Sequence, residues 1–454
     1  MVMGSLPEAV DIAVIGGGVG GYFAAIHAAQ IGKSVALIEK EKLGGHCLNY
    51  ACIPSKTMIK VADMFYEIQH AENFGIHVGE IHVEPTELYK WRMDASDKLE
   101  KGVDFLCKSN GVEVAKGSAM FTSSSSLQIG GGGSIDFKKA IIATGSDPTV
   151  LKGFEFDHRR IIDYKEALML DYLPETIAIL GAGYVAVEIG MLYAKLGSKV
   201  SIVARSDVLR LFDRDAVEVV KKKMDELGIK IFTGATPVSY DASSVTLSDG
   251  KRVFSQLIVV AVGLSPYTQG LGLENTQVKL DDKGFVKVDN ALRTTDPGIL
   301  AVGDVIGEPL LAHKAMRQGI VAAEVAAGQN AAYDNMVVPA VIFSDPEIAI
   351  AGRIDGDDLK VTKFPLTALG RAIALNATNG FVKIAADSDN IVRGVEVVSD
   401  DAGDIIGEAV VAIEMGATLE DIADSIHPHP TYSEALQEAA EAALGRSIHY
   451  FYGK

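Results

Sequence analysis

The stretch that decides the fold is residues 11–39, DIAVIGGGVGGYFAAIHAAQIGKSVALIE. It begins with a short apolar run that predicts a buried parallel strand, and Gly16, Gly18 and Gly21 follow with the spacing G-x-G-x-x-G. An alanine-rich helix and a second apolar strand come next, and that strand ends in the carboxylate of Glu39. Such a βαβ unit binds a dinucleotide, because the glycines let the backbone approach a pyrophosphate and the acid accepts hydrogen bonds from a ribose.

Residues 176–204 repeat this layout farther along the chain. A strand leads into Gly181 and Gly183, Ala186 fills the third position of the fingerprint, and a helix through Leu196 precedes another apolar strand. Because each such unit binds one nucleotide, two units in one chain predict two nucleotide sites.

The acid found at Glu39 in the first unit has no counterpart in the second. Ala204 stands at that position, and Arg205 and Arg210 follow. A carboxylate would repel a 2′-phosphate, whereas a guanidinium pairs with it. We therefore expect the second site to prefer NADP(H) over NAD(H), with solvated surface arginines and relaxed specificity as the alternative.

The composition and net charge of the chain disfavour some classes of function. The 454 residues suggest about three domains, 48% of them are hydrophobic, and the formal net charge is −18. A field of that sign repels phosphate backbones and anionic lipid, which disfavours nucleic-acid and membrane-surface roles. The sequence shows neither a targeting segment nor an uncharged apolar run of about 18 residues, so a soluble, cytoplasmic protein is expected.

The remaining segments predict a second kind of domain. Residues 111–145 read as a β-meander, residues 251–263 as a strand pair and Gly298–Val305 as a strand that ends in Gly-Asp. From Pro339 onward, short strands alternate with helices, as is typical of an α+β domain. The predicted fold class is α/β, with two Rossmann-like nucleotide-binding domains and a C-terminal α+β domain.

Two of the three cysteines lie in the segment Gly44–Lys56, GGHCLNYACIPSK. Cys47 and Cys52 are five positions apart, which on a regular helix is a rise of about 7.5 Å, too far for a disulfide. A bridge therefore requires an irregular helix start, which Pro54 favours by restricting the residues before it. Two buried, inert thiols remain the alternative, and a zinc site is disfavoured because no second pair completes the ligand set.

This segment also carries a family resemblance. Gly-Gly-x-Cys-x-Asn-x-x-Cys-Ile-Pro-Ser-Lys after a dinucleotide fingerprint is similar to the flavin-dependent pyridine nucleotide–disulfide oxidoreductases, from about residue 11 to residue 445. Gly298–Val305 resembles the family's second flavin motif, Leu311–Lys314 the segment beside the flavin ring, and Ala143–Ser146 the strand end near the junction of the nucleotide domains. The resemblance implies FAD at the first site and NAD(P) at the second.

Two motifs resemble those of one branch of this family, the enzymes that oxidise dihydrolipoamide. One is PSK at residues 54–56, and the other is HPHPTYSE at His427–Glu434. Mercuric reductases use a C-terminal cysteine pair, and this chain has no cysteine after Cys107. The implied activity is the oxidation of dihydrolipoamide to lipoamide through a Cys47–Cys52 disulfide and FAD, with electrons passed to NAD(P)+.

The resemblance implies roles for the residues around the cysteine pair. Cys47 exchanges with the substrate dithiol or disulfide, and Cys52 lies against the flavin as a charge-transfer thiolate. Lys56 and Glu188 pair near the flavin's reactive nitrogen, and their charges are coupled because a buried lysine without its carboxylate would lose its proton. Cys107 is by default a small core residue.

A histidine in the C-terminal motif is the candidate base. His429 can take a thiol proton because an imidazole titrates near physiological pH, and Glu434 orients and stabilises the ring. His427 is secondary, and metal binding by the two histidines is disfavoured since nothing nearby completes a ligand set. In the family the His–Glu pair comes from the partner subunit, which implies a homodimer whose interface is formed mostly by residues 337–454.

The implied boundaries place residues 1–147 and 264–336 in the FAD-binding domain, residues 148–263 in the NAD(P)-binding domain and residues 337–454 in a dimerisation domain. The predicted FAD-binding residues are Gly16, Gly18, Gly21, Glu39, Lys40, Gly45, His46, Lys56, Ala143, Thr144, Gly145, Gly303, Asp304, Leu311, Ala312 and His313. The predicted NAD(P)-binding residues are Gly181, Gly183, Tyr184, Val185, Glu188, Ala204, Arg205, Arg210, Val262 and Gly263. No metal site is predicted.

The chain departs from the family pattern at three positions. His46 stands where threonine is usual, Ala51 where glycine is usual, and Ala204 where an NAD-type enzyme has an acid. The last departure keeps open a second function, an NADPH-dependent reductase of a low-molecular-weight disulfide. A third interpretation, a binding subunit that holds FAD without turnover, is disfavoured because binding alone needs neither the cysteine pair nor His429.

Overall fold

The computed structural model describes residues 8–452, which form two compact units. Within that range, residues up to 173 and residues 259–334 make the first unit, and residues 174–258 and 335 onward make the second. Each unit therefore combines two separated stretches of chain. The α/β fold class is confirmed, and none of the helices in residues 8–452 has the length and apolar character needed to cross a membrane.

The helices and strands are numbered in chain order. The α-helices are α1 (Val19–Gln30), α2 (Gly45–Asn49), α3 (Cys52–Gln69), α4 (Pro85–Ser109), α5 (Tyr164–Ala167), α6 (Tyr184–Lys195), α7 (Arg214–Glu226), α8 (Ala312–Ala326), α9 (Gly370–Ala374), α10 (Ala402–Glu414), α11 (Leu419–Ala423) and α12 (Glu434–Ala443). The β-strands are β1 (Ala9–Ile15), β2 (Val35–Glu39), β3 (Glu113–Lys116), β4 (Ala119–Ser123), β5 (Ser126–Ile129), β6 (Ser134–Ile142), β7 (Ser146–Pro148), β8 (Ile161–Asp163), β9 (Thr176–Leu180), β10 (Lys199–Ala204), β11 (Lys230–Thr233), β12 (Pro237–Tyr240), β13 (Ser244–Leu247), β14 (Arg252–Phe254), β15 (Leu257–Val260), β16 (Leu264–Pro266), β17 (Ile299–Ala301), β18 (Ala340–Ile342), β19 (Glu347–Gly352), β20 (Lys360–Pro365), β21 (Phe381–Ala386) and β22 (Val392–Ser399). Short 3-10 helices cover Ala71–Phe74, Leu273–Asn275, Gly303–Ile306 and Leu366–Ala368.

The first unit is built on a sheet of strand order β3-β2-β1-β6-β5-β4, with β17 paired to β6. The pairs β1–β2, β2–β3, β1–β6 and β6–β17 are parallel, and β4, β5 and β6 form an antiparallel meander. A strand buried on both faces reads as a continuous apolar run, and Ile12, Ala13 and Val14 in β1 are at most 1% exposed. The carboxyl ends of β1, β2, β6 and β17 meet at one edge, where a doubly wound sheet binds its ligand.

The second unit contains β9, β10 and β11 as parallel neighbours and the antiparallel meander β12-β13-β14. Its later stretch forms the antiparallel sheet β18-β19-β22-β21-β20. Apolar residues of that sheet, such as Ile384 and Val397, share one buried core with Ile405 on α10 and Leu436 on α12. The α+β character predicted from Pro339 onward is confirmed.

Most local predictions agree with the structure, and two were wrong. The predicted strand Thr176–Leu180 is β9, and the helix expected to run through Leu196 ends at Lys195. However, β3 pairs in parallel with β2, because the helices between them supply the crossover that parallel pairing needs, so residues 111–145 are not one meander. β14 pairs with β13 and belongs to a different sheet from β15, so residues 251–263 are not a strand pair. The domain boundaries stay predictions.

Candidate active site

Two of the three glycines of the first fingerprint, Gly16 and Gly21, lie where a side chain would collide with the backbone. Gly16 has a φ of +101°, and a Cβ there would lie 2.4 Å from the carbonyl oxygen of Ala143. A Cβ on Gly21 would lie 1.8 Å from the carbonyl oxygen of Gly16. Gly18 is the N-cap of α1 and provides no side-chain cap, so backbone N–H groups at the start of this helix suit an anion. The turn is therefore a backbone cradle that fits a pyrophosphate.

Glu39 ends β2 beside this turn. Its Oε2 accepts a hydrogen bond from the Gly17 N–H at 2.6 Å, and its Oε1 accepts one from the Glu41 N–H at 2.6 Å. Each carboxylate oxygen has a second lone pair that can accept from a ribose hydroxyl. The neighbouring Lys40 Nζ lies 3.9 Å from the centroid of the Tyr267 ring. The acid therefore lies against the fingerprint, as a dinucleotide site requires.

The other predicted flavin residues lie at the same edge of the sheet. β6 leads into Ala143–Gly145, and β17 leads into Gly303 and Asp304. Ser146 Oγ donates a hydrogen bond to Asp304 Oδ2 at 2.7 Å, which joins the two strand ends. Leu311–His313 lie at the start of α8, and α8 packs along α1. The structure thus brings the fingerprint and the second flavin motif together, and this set of residues fits one extended dinucleotide.

The cysteine segment is broken into two helices. α2 ends at Asn49 and α3 begins at Cys52, and Ala51 between them leaves the helical region with a φ of −132° and a ψ of −94°. Asn49 Nδ2 fastens the first turn by donating a hydrogen bond to the carbonyl oxygen of Gly45 at 3.0 Å. The break is the irregular helix start that pairing of Cys47 with Cys52 requires.

The two cysteines of this segment are adjacent across the break. A side-chain hydrogen bond joins Cys47 to Cys52. This hydrogen bond, and then burial, raises the pKa of Cys47, while the charge of Lys56 lowers it. Cys107, by contrast, is fully buried in the core, and burial raises its pKa to about 11. Cys47 and Cys52 therefore form an adjacent dithiol. Two unrelated core cysteines would not be expected to lie within hydrogen-bond distance of each other.

The second fingerprint opens toward solvent. Gly181 has a φ of +132°, and Gly183 caps α6 without a side-chain hydrogen bond. Gly183 and Tyr184 are exposed, Val185 is half-buried, and Ala186 in the third position is fully buried. An anion can therefore reach the N–H groups at the start of α6.

The loop after β10 is fastened to this fingerprint. The Leu209 N–H donates a hydrogen bond to the carbonyl oxygen of Ala182 at 2.9 Å. Ala204 ends β10 and is buried, whereas Arg205 and Arg210 are exposed. Both guanidinium groups are thus carried by the segment that returns to the fingerprint, where a 2′-phosphate would be recognised.

Glu188 is held within the second unit. It lies on α6, is 6% exposed, and its Oε1 accepts a hydrogen bond from the Phe343 N–H at 3.1 Å. Lys56, Val262 and Gly263 belong to the first unit. The pairing of Lys56 with Glu188, and the part of Val262 and Gly263 in the second nucleotide site, therefore stay predictions.

His429 and Glu434 lie together in the second unit. His429 Nδ1 lies 2.7 Å from Glu434 Oε1, and Glu434 Oε2 accepts a hydrogen bond from the Thr431 N–H at 2.7 Å. Burial alone would raise the pKa of Glu434, but the hydrogen bonds with His429 and Thr431 outweigh it, and the net pKa is lowered. The ionised carboxylate holds one ring nitrogen, which leaves Nε2 as a proton acceptor. The His429 side chain is 77% exposed in the single chain.

His427 has a structural role. Its Nε2 lies 2.7 Å from Glu408 Oε1, its Nδ1 lies 3.0 Å from the carbonyl oxygen of Ser425, and only 6% of the side chain is exposed. Both ring nitrogens are engaged, so this imidazole has no free nitrogen for proton transfer. Between residues 8 and 452, no group of three or more His, Cys, Asp or Glu side chains is arranged to hold a metal ion.

Sequence reasoning missed a row of charged groups beside the cysteine segment. His46 Nε2 lies 3.7 Å from Asp147 Oδ1, and Lys165 Nζ lies 3.6 Å from the same oxygen. Asp147 lies in β7 and Lys165 on α5. No local pattern links either residue to position 46, and the single signal in the sequence was the departure of His46 from the family motif.

Family models and relatives of known name match this chain over almost its whole length. The model of the pyridine nucleotide-disulphide oxidoreductase family matches residues 10–319, and that of the family's dimerisation domain matches residues 338–440. Dihydrolipoyl dehydrogenase 2 from Haloarcula marismortui is 39% identical to this chain. The alignment covers 99% of this chain and all of that protein. The dihydrolipoyl dehydrogenases from Haloferax volcanii and Geobacillus stearothermophilus are 41% and 39% identical, with 99% of each chain covered.

Solved structures show the same fold. LpdA from Mycobacterium tuberculosis has a TM-score of 0.90 at 28% identity, over 95% of this chain and 99% of that one. The HOCl-induced flavoprotein disulfide reductase RclA from Escherichia coli has a TM-score of 0.85 at 25% identity, over 95% of this chain and 99% of that one. Matches to both family models, full-length relatives and the glycine turns described above agree, and we conclude that this chain belongs to the pyridine nucleotide–disulphide oxidoreductase family.

Proposed function

We propose that the protein is a dihydrolipoyl dehydrogenase, which oxidises dihydrolipoamide to lipoamide and passes two electrons through the Cys47–Cys52 pair and FAD to NAD(P)+. The observation that carries this proposal is the adjacent dithiol at the break between α2 and α3. The start of α2 is itself fastened to the first fingerprint, since the Gly44 N–H donates a hydrogen bond to the carbonyl oxygen of Gly17 at 2.8 Å. Relatives with this activity in their names are 39–41% identical over the full length.

The thiol chemistry balances within the protein and its substrate. With the cysteines oxidised, one thiolate of dihydrolipoamide attacks Cys47 Sγ, the Cys47–Cys52 bond breaks, and Cys52 leaves as a thiolate. The second substrate thiolate then attacks the substrate sulfur of the mixed disulfide, which releases lipoamide and Cys47. The substrate is oxidised by two electrons, the cysteine pair is reduced by the same two, and the two substrate thiols give up one proton each.

The residues at the carboxyl edge of the first sheet fit FAD. The fingerprint turn would hold the pyrophosphate, Glu39 a ribose and Asp304 the ribityl chain. Bound there, FAD supplies the two-electron acceptor that returns the dithiol to the disulfide. The hydrogen bond with Cys52 and burial raise the pKa of Cys47, and the charge of Lys56 offsets part of that rise.

A base has to remove the substrate protons, because thiolates and not thiols carry out the exchange. His429, held by Glu434, supplies this base. Its exposed ring lies within the stretch matched by the dimerisation-domain model, which supports a homodimer where His429 serves the partner subunit's cysteine pair. We also propose a cytoplasmic location and a substrate that carries the lipoamide group in its dithiol form, free or on a lipoyl domain.

The visible spectrum of the purified protein tests this function. Dihydrolipoamide is expected to turn a yellow protein into a reduced form with a long-wavelength band, because the Cys52 thiolate would lie against the flavin. A protein that stays colourless after reconstitution with FAD, or a flavoprotein that dihydrolipoamide does not reduce, contradicts the proposal.

We further propose that NADP(H) is the preferred nicotinamide nucleotide. Arg205 and Arg210 lie on the loop fastened to the second fingerprint, and Ala204 provides no charge that would repel a 2′-phosphate. We expect Arg205→Ala and Arg210→Ala each to lower kcat/KM for NADP+ by about 10–100-fold and to leave NAD+ nearly unchanged, since a hydrogen bond to a charged group contributes about 1.5–3 kcal/mol.

The matched control is Arg214→Ala, an exposed arginine at the start of α7. A wild-type enzyme with the larger kcat/KM for NAD+ and NADH contradicts the preference. The same arginines favour a second candidate function, the NADPH-dependent reduction of a low-molecular-weight disulfide. Rates with dihydrolipoamide and with glutathione disulfide, measured side by side, decide between the two.

A further inference from the structure

The first histidine of the C-terminal motif has a hydrogen-bond acceptor at each of its ring nitrogens. His427 Nε2 lies 2.7 Å from Glu408 Oε1, and its Nδ1 lies 3.0 Å from the carbonyl oxygen of Ser425. Only 6% of the side chain is exposed, so water has little access to the ring. A carboxylate oxygen and a carbonyl oxygen accept hydrogen bonds and cannot donate them. Each ring nitrogen therefore has to be the donor to its partner.

This count of donors decides the protonation state of the His427 ring. A neutral imidazole has one N–H group and one acceptor nitrogen, so it can satisfy only one of the two oxygens. Its other nitrogen would then set a lone pair against an oxygen lone pair inside the protein, which destabilises the fold. The imidazolium has both N–H groups, and the charge of Glu408 compensates its own. The geometry therefore describes a cation at position 427 and not a second neutral base.

The loop that carries the candidate base is fastened at both of its ends. Glu408 lies on α10, which packs into the core of the C-terminal sheet, so the contact with His427 holds the start of the loop against a rigid element. Farther along, the carbonyl oxygen of Pro428 accepts a hydrogen bond from Thr431 Oγ1 at 2.7 Å, and the Thr431 N–H donates to Glu434 Oε2 at 2.7 Å. The candidate base lies between these two attachments.

The charge at position 427 also acts on the partner of the candidate base. Burial alone would raise the pKa of Glu434, whereas the hydrogen bonds with His429 and Thr431 lower it, and so do the charges of His429 and His427. Glu408 on α10 and Glu434 on α12 therefore both stabilise the His427 cation, and a proton on His429 opposes it. A positive charge at position 427 in turn keeps Glu434 ionised.

We propose that His427 is a doubly protonated imidazolium that acts as a positioning residue for His429. Its ion pair with Glu408 holds the loop against α10, and its charge preserves the Glu434 carboxylate that orients the His429 ring. This inference rests on the role of His429 in the proposed function and adds the group that holds this base in place. The two histidines of the motif then have different tasks, since one keeps its proton and the other takes up a proton from the substrate.

Nitrogen-15 spectroscopy of the histidine rings tests the protonation state without any measurement of activity. At pH 7 the His427 ring of wild type, assigned through His427→Gln or His427→Asn, is expected to show two N–H nitrogens. In Glu408→Gln the amide can donate to a ring nitrogen, so the same ring should become neutral and show one. Glu408→Asp keeps the charge and should restore the imidazolium. A neutral His427 ring in wild type overturns the inference.

The half-reactions of the Glu408 variants test the positioning. Glu408→Gln should slow the reaction with dihydrolipoamide by about 10–100-fold, because a reacting group displaced by about 1 Å loses up to that much. Reduction by NADPH or NADH should be unchanged, and Glu408→Asp should recover most of the rate. The matched control is Asp404→Asn, an exposed carboxylate one turn earlier on α10, which should behave as wild type.

An unchanged reaction with dihydrolipoamide in Glu408→Gln, or equal slowing of both half-reactions, also overturns the inference. Failure of the proposed function gives a different result: His429→Gln would then oxidise dihydrolipoamide as fast as wild type. A slow His429→Gln variant combined with a neutral His427 ring contradicts only the positioning role and leaves the proposed function intact.

Discussion

The Cys47→Ser variant is expected to keep its FAD and to lose dihydrolipoamide oxidation by a factor of about 10³ or more. A serine hydroxyl stays protonated at neutral pH and cannot form the disulfide that accepts electrons from the substrate, so the relay has no first step. The predicted FAD-binding residues, among them the fingerprint glycines, Glu39 and Asp304, do not include Cys47, so the variant should keep the cofactor. Flavin absorbance of the purified variant and steady-state oxidation of dihydrolipoamide check the two halves of this prediction.

The variant at the second cysteine separates the roles of the two sulfurs. Cys52→Ser should lose turnover to the same extent and should also lack the long-wavelength thiolate–flavin band, whereas Cys47→Ser keeps the Cys52 thiolate and hence the band. Cys107→Ala is the control: its side chain is buried in the core, and the variant should retain activity. Unchanged dihydrolipoamide oxidation in either serine variant refutes the dithiol relay.

The His429→Gln variant is expected to slow the reaction with dihydrolipoamide by about 10²–10⁴-fold, the usual contribution of a general base. Reduction of the enzyme by NADPH or NADH should be nearly unchanged, because that half-reaction involves no substrate thiol. Glutamine keeps a hydrogen-bonding side chain beside Glu434 but cannot accept the thiol proton. Stopped-flow measurement of each half-reaction tests this difference directly.

A second His–Glu pair in the chain provides the matched control for this variant. His449 Nδ1 lies 2.6 Å from Glu438 Oε1, and the His449 side chain is 65% exposed, much like the His429 pair. His449→Gln should leave both half-reactions unaltered. Equal slowing of both half-reactions by His429→Gln would falsify its role as the base.

The parts of the fold that were predictable from the sequence are those set by local physics. The first fingerprint could be placed because a Cβ on Gly21 would collide with the backbone of Gly16, and that requirement leaves a mark in the sequence. Buried parallel strands such as β9 are likewise visible as apolar runs. The need for a break between Cys47 and Cys52 followed from helix geometry, and the structure has that break at Ala51.

The features that were not predictable depend on residues far apart in the chain. β3 reads as part of a meander from its immediate neighbours, yet its partner is β2, more than 70 residues earlier. The contact of His46 with Asp147 arises because β7 and α2 reach the same edge of the sheet, and no spacing rule encodes it. Local periodicity identifies elements, but which side chains meet at an edge is decided by tertiary pairing.

The division of each unit into two stretches has a consequence for biosynthesis. Residues 174–258 leave the ribosome long before residues 335 onward, with which they form the second unit. At the usual speed of translation, the intervening and final stretches take on the order of ten seconds or more to produce. A nascent chain that has reached residue 334 contains every residue of the first unit, including the cysteine pair, but the second unit and the His429–Glu434 pair are completed only by the last part of translation.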